Sequence, residues 1–208
     1  MLHQPLLKSW RVRTLAATIA LLACAVRAAE APPARAAEGP PVREYLDEET
    51  GATVTLLSQP LVFAYPRPEL AANARDYVSL QAAAVNRMGK LSYVLIGYAW
   101  STVDPRMREE PLATPDLLVL RADDRRIQLN ARGHTAREAG IGMAVDAPAG
   151  ANATPTAYGT DLATLRFIAE SRQLSLALDT ERTTLIYDLW EDRRPALNRF
   201  VRHMSGGD

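Results

Sequence analysis

Asp76-Tyr-Val-Ser-Leu-Gln-Ala-Ala-Ala-Val-Asn86, Arg87-Met-Gly-Lys90 and Leu91-Ser-Tyr-Val-Leu-Ile-Gly-Tyr-Ala-Trp-Ser-Thr102 form the stretch on which the fold class turns. Two long strand-like runs meet at a short connection containing glycine, the pattern of a β-hairpin. The same period of two continues on both sides. Upstream, Glu44-Tyr-Leu-Asp47 reads as a short strand and Glu48-Glu-Thr-Gly51 as a turn. Ala52-Thr-Val-Thr-Leu56 alternates cleanly, with Thr53 and Thr55 on one face and Val54 and Leu56 on the other. Pro60 breaks that run, Leu61 to Tyr65 begins another, and Pro66 and Pro68 end it. Helix-forming residues from Glu69 to Arg75, just after Pro68, predict one or two helical turns.

Downstream, Asp116 to Ala122 and Arg125 to Ala131 predict a second hairpin about Asp123-Asp124, and Ile141 to Val145 a further strand. Ala147 to Tyr158, low in bulky residues, reads as an exposed loop. The pattern then changes. Thr160 is placed to cap a helix over Asp161 to Ser171, with Leu162, Leu165, Ile168 and Ala169 on one face. Strands over Leu174 to Leu178 and Thr184 to Trp190 follow, joined by Asp179-Thr-Glu-Arg182. A last helix, Arg194 to Met204, presents Leu197, Phe200, Val201 and Met204 at helical spacing and has Pro195 in its first turn. The expected architecture is mainly β (α+β): an antiparallel β-sandwich or open barrel. Its C-terminal helix-strand-strand-helix unit would pack on one face or close one end.

Before the strands lies a different kind of chain. Lys8, Arg11 and Arg13 precede the apolar run Leu15 to Ala23, and Cys24, the sole cysteine, follows it. A basic head, a short apolar body and a small-residue exit are the layout of a signal peptide over residues 1–24. The run is too short to remain as a membrane span, which needs about 20 helical residues. Leu21-Leu22-Ala23-Cys24 resembles a lipobox, in which cleavage leaves Cys24 to carry the lipid, although Leu22 is larger than is usual there. The other reading is cleavage at Val26-Arg27-Ala28 or Arg27-Ala28-Ala29, which discards Cys24. Residues 25–43 are rich in Ala and Pro and read as a linker, and 44–208 as a single β-rich domain.

Composition narrows the function. The chain holds 24 basic and 24 acidic residues; the leader takes five and two of them, so residues 42–208 carry 19 and 22 and a net charge of −3. That mild balance lacks the basic stripe of a nucleic-acid binder. Arginine outnumbers lysine 22 to 2. Arginine forks suit oxyanions, yet a genome rich in arginine codons explains the count more simply. One cysteine gives no disulfide framework, thiolate metal cluster or paired redox motif.

Catalytic patterns are sparse. His134, in Arg132-Gly-His-Thr135, is the one candidate general base. A triad would need it beside Ser101, with Asp104 or Asp146 as the orienting acid, but Trp100-Ser-Thr-Val-Asp104 lacks the glycines of a nucleophile elbow. The acidic groups Asp47-Glu48-Glu49, Glu109-Glu110 and Asp123-Asp124 lack the order of a calcium loop and read as turns. No Gly-rich phosphate loop is present, so no cofactor or metal is expected.

Pairing of the long hairpin would gather polar groups at its open end. Arg75, Asp76, Trp100, Ser101, Asp104 and Arg106 are expected on one rim, with Trp100 and Tyr98 as apolar anchors of a binding edge. The structural alternative is an Arg–Asp pair pinning the loop to the hairpin.

Tyr45 to Thr55 (Tyr-Leu-Asp-Glu-Glu-Thr-Gly-Ala-Thr-Val-Thr), Leu61-Val-Phe-Ala64, Glu69 to Tyr77, Val85-Asn-Arg-Met-Gly89 and Trp100-Ser-Thr102 together resemble a group of exported proteobacterial proteins. Several of these are apparent lipoproteins, and the resemblance implies no particular activity. The resemblance covers about residues 44–104 and implies export and lipidation; it carries over no catalytic residue. The expectation is therefore a non-enzymatic envelope protein of a Gram-negative bacterium, periplasmic or anchored to the outer membrane. It would bind a partner or support an assembly. An envelope hydrolase acting on carbohydrate or ester and a small-ligand carrier are the alternatives.

Overall fold

The computed structural model describes residues 40–104, 106, 112–142, 154–180 and 183–206. Cys24, most of the linker, Glu109-Glu110 and Asp146 lie outside them. Residues Ala37–Asp208 form one compact unit. Its strands are β1 (Val42–Asp47), β2 (Ala52–Leu57), β3 (Leu61–Pro66), β4 (Arg75–Arg87), β5 (Lys90–Ser101), β6 (Leu117–Ala122), β7 (Arg125–Gly133), β8 (Thr156–Thr160), β9 (Leu174–Asp179) and β10 (Thr184–Glu191). Helix α1 (Leu162–Glu170) separates β8 from β9, and α2 (Arg194–Met204) follows β10.

The β4–β5 hairpin is the spine. It pairs continuously from Asp76↔Ser101 to Arg87↔Lys90. Met88 (φ 53°) and Gly89 (φ 82°) are both left-handed, so the connection is a two-residue primed turn whose twist suits a hairpin. The other edge of β4 is shared: Arg75 to Leu80 pair with β3, and Ala83 to Asn86 with β2. Ser58-Gln59-Pro60 interrupts the ladder between them, and the buried Gln81 side chain donates to the Leu57 carbonyl at 2.6 Å in that gap.

From β4 the pairing runs through β3, β10, β9, β6, β7, β8 and β5 back to β4, antiparallel throughout. The result is a closed eight-stranded barrel, with β1 and β2 extending the sheet along the hairpin. Eight strands leave an interior that side chains can fill. Phe63, Val78, Leu80, Leu95, Leu118, Leu120, Leu176, Leu178 and Tyr187 occupy it, together with Leu165 and Ile168 of α1 and Leu197, Phe200 and Val201 of α2. An apolar inside is the reverse of a transmembrane barrel around a polar lumen. Among the described residues no helix is long and apolar enough to cross a membrane. The two strands of the C-terminal unit are barrel staves, and its helices close the end to which β8 and β10 run.

A second cluster lies on the outer face of the hairpin, where Val54, Leu56, Ala83, Val85, Val94, Ile96 and Tyr98 pack with Ile141. The segment after β7 is held there by Asp47. Its buried carboxylate accepts from the backbone N–H of Glu49 (3.1 Å), Thr50 (3.4 Å) and Gly142, while Arg137 pairs with Glu49. Ile141 is thus a core residue in an irregular segment and not the start of a strand; residues 143–145 lie outside the described residues.

Other expectations shift by a few residues. Val42 and Arg43 belong to β1 and not to the linker. The stretch behind Pro68 makes two separate turns and no helix, one closed by Leu70 and Ala71 N–H groups on the Arg67 carbonyl and one by Ala74 N–H on the Ala71 carbonyl, because Ala74 and Arg75 are drawn into the β3–β4 connection. The loop expected to reach Tyr158 ends earlier, since Thr156 to Thr160 pair with Tyr93 to Gly97. That pairing also takes Thr160 into a strand, so the helix cap is Asp161, whose carboxylate accepts from Thr164 N–H at 2.7 Å.

Candidate functional site

Side chains alternate across a strand, and this divides the expected rim between two faces. Val78 and Leu80 point into the barrel, so Asp76 and its partner Ser101 lie on the inner side at its mouth. Arg75, Tyr77 and Trp100 lie on the outer side. Asp104 and Arg106 sit beyond the hairpin, exposed, with the Asp104 carboxylate accepting from the Arg106 N–H at 2.9 Å.

On the outer wall the rings of Tyr77 and Trp100 stack, centroids 5.3 Å apart and planes 13° from parallel. Their strands are neighbours, and the two residues are directly opposed. Trp190, in the β10 bulge between the Leu189↔Phe63 and Glu191↔Val62 pairs, meets Tyr77 edge-on at 6.2 Å across the intervening β3. The Arg75 guanidinium lies 4.7 Å from the Trp190 ring centre, a cation–π contact. Trp190 remains 53 % exposed, whereas Tyr98 is 4 % exposed and packs in the outer cluster. The apolar anchors of this face are therefore Trp100, Tyr77 and Trp190, and Tyr98 is structural.

At the mouth, among the described residues, Arg67 meets Asp76. Its Nη1 donates to the buried carboxylate at 2.8 Å, and its Nε bonds Glu69. Burial alone would weaken the hold of Arg67 on its proton, but hydrogen bonds to Glu69 and Asp76 more than offset that and raise its pKa. The hydrogen bond from Arg67 lowers the pKa of Glu69. Ser101 donates from its hydroxyl to the Arg75 carbonyl (3.2 Å) and accepts from Val103 N–H (3.0 Å). This cluster pins the β3–β4 loop to the hairpin.

His134 finds other partners than the expected triad. Its Nε2 is 3.3 Å from Asp116 and its Nδ1 3.4 Å from the Thr156 hydroxyl, which accepts from Thr114 at 2.7 Å. Thr114 and Thr156 are buried, so neither hydroxyl is presented to a substrate. The cluster ties the segment before β6 and the end of β7 to β8. Among the described residues no three His, Cys, Asp or Glu side chains are placed to hold a metal ion. Asp47 and Asp123 cap turns or loops, the latter accepting from Arg172 and Gln173 N–H at 2.9 Å each.

Beside this cluster Tyr158 is fully buried and donates to the Pro115 carbonyl at 2.5 Å. Burial pushes its phenol up to about 12, with the nearby Thr114 and Thr156 hydroxyls opposing and the Asp116 charge reinforcing the shift. The folded chain therefore holds this proton more tightly than the unfolded chain, whose phenol titrates near 10. The contribution is complete below about pH 10 and is lost as pH rises towards about 12, at most about 2–3 kcal/mol. Unfolding free energies followed over that window should decline more steeply for the wild type than for Tyr158→Phe. Parallel declines would assign the loss to other groups.

Trp190, Arg67, Asp116 and Thr156 escape the sequence reading. Trp190 lies more than a hundred residues from Tyr77, and only the β3–β10 pairing joins them. Its outward position in the alternation of β10 is the one signal available. No protein-family model, curated protein or solved structure matches the chain.

Proposed function

We propose that this chain is a non-enzymatic cell-envelope protein that captures a protein partner on its outer barrel wall. The observation that carries the reading is the Trp100–Tyr77–Trp190 row, half-buried at Trp100 and Tyr77 and exposed at Trp190, with Arg75 against it. Tryptophan, tyrosine and arginine are the residue types that dominate binding hot spots, and here they stand on rigid strands. Export, periplasmic or outer-membrane placement and a lipid on Cys24 belong to the same proposal. They are supported by the leader sequence and by the resemblance to exported proteobacterial proteins. The carrier alternative draws no support from an interior occupied by core side chains. The hydrolase alternative draws none from a histidine whose hydroxyl partner is buried.

Crosslinking in cells followed by affinity purification tests the binding reading. Trp190→Ser should lower recovery of the partner sharply, matching a fall in affinity of about 30-fold or more, as for a hot spot of about 2 kcal/mol. The loss of stability should be small, because the ring is half in solvent. Equal recovery from a folded variant would refute the surface. Intact mass of the mature protein decides the anchor: a lipid-modified Cys24 supports the tether, and a start near Ala29 removes it.

A further inference from the structure

We propose that the outer wall of the β6–β7 hairpin carries a phosphate-binding site built from Arg121, Arg126 and Ser175. This site is separate from the aromatic row and does not depend on it. Arg121 and Arg126 are directly opposed across β6 and β7, and Ser175 of β9 is directly opposed to Arg121 on its other side. Leu120, Ala122, Ile127, Leu174 and Leu176 point inward, so all three residues face out in one transverse row. Neighbouring strands are about 4.8 Å apart, so the row spans about 10 Å at the backbone. Flexible arginine side chains can close on a group between them.

Two like charges directly opposed across strands destabilise a sheet, and among the described residues no ion pair offsets them. Both guanidiniums are exposed, and among the described residues neither has a hydrogen bond or ion pair. The Ser175 hydroxyl likewise has no hydrogen-bond partner among the described residues. Neighbouring charges are placed differently. Arg125 is turned over the Phe167 ring, 4.3 Å from its centre, and the Asp123 carboxylate is engaged by Arg172 and Gln173 N–H. Asp188 continues the row beyond Ser175, two strands from Arg121, and Asp124 stands at the exposed hairpin turn. Among the described residues the two forked cations and the hydroxyl donor therefore have no protein acceptor. A phosphate group, with several acceptor oxygens, uses more of these donors than a carboxylate does. The phosphate could belong to a free anion or to a lipid headgroup, and the chemistry of the row is the same for both.

Thermal unfolding of the full chain in inorganic phosphate and in chloride, at matched ionic strength, tests the site against Arg121→Gln/Arg126→Gln. Phosphate stabilises proteins generally by exclusion, so the readout is the difference between the two proteins. At ten times the dissociation constant the wild-type midpoint should rise about 3–6 °C more than that of the variant. In chloride the variant should be as stable as the wild type or slightly more so, because the repulsion is gone. Co-sedimentation with phosphatidylglycerol vesicles, against phosphatidylcholine vesicles, separates the sources. Arginine-dependent binding to the anionic vesicles assigns a headgroup, and a phosphate shift without it assigns the free anion. Equal phosphate shifts in both proteins with no arginine-dependent vesicle binding would overturn the proposal. So would a variant clearly destabilised in chloride, which would make the arginines structural. Neither result bears on partner capture at Trp190.

Discussion

Arg67→Ala should lower the unfolding free energy by up to about 3–5 kcal/mol, the loss expected when one partner of a buried ion pair is removed. The carboxylate of Asp76 has no exposed surface, and Arg67 supplies its guanidinium partner at 2.8 Å. In a chain of this size the loss corresponds to a fall in Tm of about 6–20 °C. The pair is not expected to be a large net source of stability, because desolvating two charges consumes most of their attraction. Arg67→Met/Asp76→Leu should therefore recover much of what Arg67→Ala loses. Urea unfolding of the three proteins measures both effects. A single variant within about 1 kcal/mol of the wild type would show that water or another group replaces Arg67. A double variant as weak as the single one would show that the pair has a specific structural part beyond charge balance.

Phe200→Ala should cost about 3–5 kcal/mol, the range for removing a buried aromatic ring. Phe200 is fully buried in the core that α2 shares with the barrel interior. Its loss leaves a cavity where the helix closes the barrel end, and the strands around it cannot collapse inward without breaking their ladders. Met204 lies one turn further along the same face and is only partly buried against that core. Met204→Ala should cost distinctly less. Equal and small losses at both positions would mean that α2 lies on the barrel without sealing it. Loss of near-ultraviolet circular dichroism in Phe200→Ala before secondary structure melts would place the first failure in the packing of the plug.

Much of this fold is local and so readable. The hairpin from Asp76 to Thr102 appears where a period of two meets Met88-Gly89, and the final helix where Leu197, Phe200, Val201 and Met204 recur at helical spacing. These features depend on residues within a few positions of one another. Errors occur where a distant pairing outweighs local preference. Helix-forming residues from Glu69 to Arg75 yield to the β3–β4 ladder, and Thr160 gives up its cap because Tyr93 pairs with it.

The site shows the same division. Arg75, Asp76, Tyr77, Trp100 and Ser101 come together through local pairing alone, since one hairpin holds them all. Only the tertiary structure decides which face each residue takes: closure of the sheet sends Asp76 and Ser101 inward to Arg67, and sends Arg75, Tyr77 and Trp100 outward to Trp190. The physical reason is that alternation along a strand is a local property, whereas the side that becomes the interior is chosen when eight strands close on a common core.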